Sequence, residues 1–169
     1  MRLTENVKTV CRDALVQAST DFDTATKSVN MAKYAKARIL LFITTSGTCA
    51  DCTVTLKQGT TTTANTALAF SEYWKCETIS GDTAANDALT RVSATTLTTA
   101  GASSATSLYI FEVRADMLDT DTFKSENQYI RCNVATGTNK ANITAMNLVY
   151  ELYEPRYARG AESLPSVNT

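Results

Sequence analysis

Polar clusters around glycine divide this chain into short apolar stretches. Gly47, Gly59, Gly81, Gly101 and Gly137 lie in TTSGT, KQGTTTT, ISGDTAAND, TTAGASS and ATGTNK, and such clusters mark turns. Between them run ARILLFITT (37–45), CTVTLKQ (52–58), AFSEYWKCETI (69–79), ALTRVSATT (88–96), TSLYIFEVRA (106–115), NQYIRCNVAT (127–136) and ANITAMNLVYELY (141–153). All are rich in β-branched and aromatic residues. Seven such stretches between turn signals predict an all-β domain, an antiparallel β-sandwich or jelly-roll-like barrel of about seven to eight strands.

Alternation assigns faces. Cys52, Val54 and Leu56 share one side against Thr53, Thr55 and Lys57. Ile130, Cys132 and Val134 oppose Tyr129, Arg131 and Asn133, and Met146, Leu148, Tyr150 and Leu152 share a further side. These apolar sides are expected to form the core. ILLFI (39–43) and LYIF (108–111) are apolar on both faces, so the outward residues, Leu40 and Phe42 with Leu108 and Ile110, need a cover of their own: a terminal helix or a neighbouring subunit.

The ends read differently. Val7, Val10, Cys11, Ala14, Leu15 and Ala18 recur at helical spacing behind Thr4 as a candidate N-cap, which predicts a short amphipathic helix. The chain therefore divides into an N-terminal arm or short helix (1–27), a β-sandwich domain (28–153) and an extended C-terminal tail (154–169). In the tail, Pro155 ends the last strand, and Arg156, Tyr157 and Arg159 supply planar groups that are enriched at interfaces.

Composition narrows the chemistry. The 169 residues suffice for one core without staples, and a net charge of −1 offers no basic stripe for nucleic acid. No apolar run is long enough to span a bilayer, and the first residues lack a signal-peptide core. Histidine is absent, which removes histidine bases, histidine-dependent triads and mixed Cys/His zinc sites. No cofactor and no catalytic set are expected. The five cysteines are expected as free thiols. Cys49 and Cys52 form a CxxC, but structural zinc needs four ligands and a thioredoxin-type pair opens a helix, whereas this pair leads into a strand. Small turn and core residues are the better reading. The acidic stretch DMLDTDTFKSEN (116–127) lacks the glycine and ligand spacing of an EF-hand and reads as a solvated turn. The NIT sequon at 142–144 has no accompanying secretory signal.

SVNMAKYAKARILLFITT (28–45), TSLYIFEVRADMLD (106–119), QYIRCNVAT (128–136) and ELYEPRYA (151–158), in that order, resemble small virion structural proteins of tailed bacteriophages, of the head decoration or cement type. The resemblance spans residues 28–158. It implies an all-β fold, no catalysis, synthesis in the host cytoplasm, and binding to the major capsid protein on the outside of the head, as a homo-oligomer and most often a trimer. An extended arm would be expected at the N-terminus on this basis, in place of the helix. Two other functions fit an all-β chain of this kind: a carbohydrate-binding sandwich, marked by an exposed row of Trp74 with tyrosines, and a head-to-tail connector or tail component.

Overall fold

The computed structural model describes residues 7–13, 28–46, 52–76, 88–99, 106–118, 120–121, 125–126, 128–135 and 142–155. They form strands β1 (Val7–Asp13), β2 (Val29–Asn30), β3 (Tyr34–Thr45), β4 (Cys52–Gly59), β5 (Thr66–Leu68), β6 (Glu72–Cys76), β7 (Thr90–Ser93), β8 (Leu97–Thr99), β9 (Thr106–Arg114), β10 (Thr120–Asp121), β11 (Ser125–Glu126), β12 (Tyr129–Ala135) and β13 (Ile143–Pro155), with a 3-10 turn at Ala115–Met117. Two antiparallel sheets pack together as a sandwich. One has the order β1-β13-β3-β9-β6-β7; the other runs β2-β12-β4-β5, with β8 also on β4. Neither sheet closes on itself, so the barrel alternative does not hold.

The predicted inward rows are the core. Ile39, Leu41, Tyr109, Phe111, Leu148 and Tyr150 of the six-stranded sheet meet Cys52, Val54, Leu56, Ile130, Cys132 and Val134 of the smaller one, all buried in one cluster. Phe111 packs edge-on against Phe70, ring centroids 5.2 Å apart, and lies 5.8 Å from Tyr73. Each such ring removes a large apolar area from water and adds a favourable quadrupolar contact.

Three expectations need correction. Residues 7–13, placed in a helix by their spacing, form a strand against β13, from Val7 opposite Tyr153 to Cys11 opposite Val149. The β-branched Val7, Thr9 and Val10 favour extended backbone, and the pairing buries Val10 in the core. Secondly, the strand expected across 88–96 is confined to β7, which pairs with β6 in the larger sheet, and a separate strand, β8, follows it and pairs with β4 in the smaller. The chain crosses between layers around Ala94–Thr96, and Thr99 then accepts a bond from the Cys52 N–H at 3.1 Å. Thirdly, Arg131, assigned to a solvent side, is 5% exposed.

The cause of that last burial is a loop. After β4 the segment 60–65 folds back, so that Asn65 Oδ1 accepts from an Arg131 Nη at 2.8 Å and the Thr62 carbonyl accepts from Ser28 Oγ at 2.6 Å. Gly59 permits this: a Cβ built there would lie 2.7 Å from Ala64 Cα. That contact is to backbone and cannot be relieved by a rotamer. Gly59→Ala is therefore expected to cost about 1–3 kcal/mol, as overpacking of a filled site does, and urea denaturation would measure it. An unchanged midpoint would show that the loop moves aside freely.

The two layers are also tied by one polar bond. The Tyr150 hydroxyl, from β13, accepts from the Cys132 N–H of β12 at 2.8 Å in a buried setting. On that side β12 has, among the described residues, the two-residue β2 for a partner, paired at Tyr129 and Ile130, so the tyrosine serves a backbone donor beyond the end of the ladder. Tyr34, equally buried, has a hydroxyl with no hydrogen-bond partner. Tyr150→Phe should therefore destabilise by about 1–3 kcal/mol, the cost of orphaning a buried donor, whereas Tyr34→Phe should be neutral or stabilising. Equal losses from the two would show that the Tyr150 bond contributes nothing.

Candidate interaction surface

The outward face of the larger sheet carries the features that most need a partner. Its register sets side chains in rows across the strands, because residues opposite one another share a face. One row runs from Val149 of β13 through Leu40 of β3 and Ile110 of β9 to Trp74 of β6 and Arg91 of β7. The next row towards one end holds Asn147, Phe42, Leu108 and Cys76. Leu40, Phe42, Leu108, Ile110, Trp74 and Val149 are all partly exposed, while their neighbours Ile39, Leu41, Tyr109 and Phe111 are buried on the opposite side. The parity expected for ILLFI and LYIF holds. The sandwich thus has a contiguous apolar strip on its outside, four strands wide.

Charge takes over towards the other end. Glu151, Arg38 and Glu112 form the next row, with the Arg38 guanidinium 3.4 Å from the Glu151 carboxylate and 3.7 Å from that of Glu112. Beyond them lie Tyr153, Lys36 and Arg114. Lys36 reaches Glu154 at 2.6 Å, and Arg114 reaches Asp116 at 3.2 Å. Lys36 and Arg38 both stand over the Tyr153 ring, 5.9 Å from its centroid. The hydrogen bond from Lys36 to Glu154 raises the ammonium's pKa, and burial, followed by the nearby Glu112, raises that of the Tyr153 phenol. The ammonium and the neutral phenol therefore persist at physiological pH. Glu154 adopts a left-handed backbone with φ of 55°, a conformation that costs a non-glycine residue free energy. On the apolar side of the rim, Arg91 is paired with Glu72. Every charge named on this face has an opposite charge beside it in the same chain.

The arrangement can bury apolar area against a flat partner while its paired rim sets register. Leu40, Phe42, Leu108 and Ile110, singled out in the sequence, are brought together here. Arg156, Tyr157 and Arg159 lie outside the described residues, as do Cys49 and residues 14–27. Cys52 is buried at the start of β4. Among the described residues no three of His, Cys, Asp and Glu gather where a metal ion could be held. Among the described residues the tyrosines do not form a platform with Trp74: Tyr73, Tyr109 and Tyr150 face the core, Tyr129 belongs to the smaller sheet, and Tyr153 lies three strands away. Sequence reading misses Val149 and the Glu151–Arg38–Glu112 row; the alternation that puts Leu148 and Tyr150 inside is the available signal for the first. No protein-family model, curated protein or solved structure matches the chain.

Proposed function

We propose that the protein is a non-enzymatic virion component of a tailed bacteriophage: a decoration or cement protein that self-associates, binds the outside of the head and stabilises the coat subunits. The observation that carries this reading is the apolar strip Val149–Leu40–Ile110–Trp74 with Phe42 and Leu108 on the outside of the larger sheet, opposite the face that forms the core. Strips of this kind mark association surfaces. The resemblance of residues 28–158 to head decoration proteins names the setting. The mechanism is surface burial: separating coat subunits bridged by such a protein re-exposes apolar area at roughly 25 cal/mol per Å², and binding to the intact lattice alone raises its stability by mass action.

Purified protein added to heads that lack it should bind to a fixed stoichiometry and raise the temperature at which they release DNA. Deletion of residues 155–169, with Arg156, Tyr157 and Arg159, should leave the fold intact and reduce that binding, because charge-assisted and aromatic contacts to the coat are assigned to this tail. Absence of any saturable binding to heads, or a purification from virions confined to the tail, would refute the decoration reading.

A further inference from the structure

We propose that the outward face of the six-stranded sheet is a two-fold interface, on which a second copy of this chain packs with its own β3 over β9. The inference rests on the reading that the protein self-associates, and it replaces the threefold contact expected from the resemblance with a two-fold one at this face. Its basis is the register. An axis parallel to the strands, above the sheet and midway between β3 and β9, brings each row of one copy over the same row of the other and exchanges the two strands. Leu40 then faces Ile110 of the partner subunit, and Phe42 faces Leu108 of the partner subunit. One strand further out on each side, Val149 of β13 comes over Trp74 of the partner subunit on β6. In the charged row, Arg38 comes over Glu112 of the partner subunit and Glu112 over Arg38 of the partner subunit.

Self-matching of this kind is what an isologous contact requires. At β3 and β9 the two apolar rows are matched large side chain to large side chain, and Arg38 and Glu112 are matched cation to anion. An axis perpendicular to the strands would set Phe42 and Leu108 over Arg38 and Glu112 if it passed through the Leu40–Ile110 row, and would leave Arg38 and Glu112 over Thr44 and Thr106 if it passed between the two apolar rows. An axis along β3 would set Arg38 over Arg38. An axis between β13 and β3 would set Arg38 over Glu151 of the partner subunit but Phe42 over Asn147 of the partner subunit, so of these axes the one between β3 and β9 alone matches both apolar rows and the Arg38–Glu112 pair. Lys36 comes over Arg114 of the partner subunit at the margin, where each already holds a carboxylate, Glu154 and Asp116 respectively. Aligned packing of two sheets, about 10 Å apart and within about 30° of parallel, suits a face on which none of the described residues forms an α-helix. The charge pattern also argues for a second copy over an unlike partner: the rim is internally neutralised, so it presents no field that would select a strongly acidic or basic surface.

Charge reversal across the axis tests the arrangement. Arg38→Glu sets two carboxylates against each other across the axis, the introduced one and that of Glu112 in the other copy. Glu112→Arg likewise sets two guanidinium groups together, the introduced one and that of Arg38. Each single variant should be monomeric in sedimentation velocity at concentrations where the unaltered protein is a dimer, with dimerisation weakened by about 100-fold. An equimolar mixture of the two should regain the dimer, since both cross-axis pairs are then opposite in sign. The double variant R38E/E112R in one chain should dimerise as well, which covers the case of a single variant that folds poorly. If the mixture stays monomeric while both variants retain the circular dichroism of the unaltered protein, the two-fold contact is wrong. It is equally wrong if the unaltered protein is a trimer that the single variants leave intact, or a monomer in solution that seats this face on the coat. Those last two results would leave the decoration reading standing, because head binding is measured separately.

Discussion

Between pH 9 and pH 12 the folded state should lose roughly 4 kcal/mol through Cys132 alone. The thiol is fully buried, and desolvation pushes its pKa from the ordinary 9.0 up to about 12. The unfolded chain releases this proton near 9, while the folded chain holds it until about 12. Within that window the unfolded state binds fewer protons, so stability falls as pH rises; below 9 both states keep the proton and the contribution is intact. Urea midpoints measured at pH 8 and pH 10.5 should therefore separate clearly. The Tyr34 phenol, raised by burial as well, acts in the same direction above its ordinary pKa, so the comparison that isolates the thiol is with Cys132→Ala, whose pH dependence should be flatter by about 2 kcal/mol over the same interval. Equal slopes for the two proteins would mean that Cys132 is not held in its neutral form. The same burial predicts that this thiol resists alkylation at pH 8 until the protein is unfolded.

How much of this is legible in the sequence follows from the range of the forces involved. Alternation is a local property, and it places Cys52, Val54, Leu56, Ile130, Val134 and Leu148 inside without reference to any other strand. Turn glycines are local too, which is why β3, β4, β9, β12 and β13 fall where their composition puts them. The failures come from contacts distant in sequence. Residues 7–13 carry an apolar spacing compatible with a helix, and only pairing with the distant β13 makes them a strand. Arg131 reads as solvated because alternation says nothing of a loop at 60–65 arriving to cover it. Residues 88–99 contain no glycine or proline to announce that the chain leaves the larger sheet after Ser93 and enters the smaller one at Leu97.

The candidate surface divides in the same way. That Leu40, Phe42, Leu108 and Ile110 point away from the core is readable from two apolar runs with buried alternate positions. That Leu40 lies opposite Ile110 rather than Leu108, and Arg38 opposite Glu112, is register, and register is fixed by pairing between strands far apart in the chain. A slip of two residues would keep every face apolar while destroying the match of Arg38 with Glu112. The two-fold argument is thus available only from the structure, although each residue in it is visible beforehand.

Neighbouring residues on β9 give the sharpest separation of folding from association. Phe111 is fully buried among Phe70, Tyr73 and the inward side chains of β3; Phe111→Ala removes most of a ring from a packed interior and should cost about 3–5 kcal/mol, enough to unfold a marginally stable domain. Ile110, one residue earlier, is partly exposed on the other side between Leu40 and Trp74. Ile110→Ala creates no core cavity, so its urea midpoint, read on the dissociated protein, should shift by about 1 kcal/mol or less, while the truncation removes a central apolar contact from the proposed interface and should weaken association by about tenfold or more. The period of two along the strand puts these opposite outcomes about 3.3–3.4 Å apart in rise. If Ile110→Ala destabilised the isolated chain as severely as Phe111→Ala, the outer strip would belong to a second core layer within the same chain, and no partner would be needed to cover it. If instead Ile110→Ala left both folding and association unchanged, the strip would be a tolerated apolar surface, and contact between copies would have to be sought on the edges of the sheets.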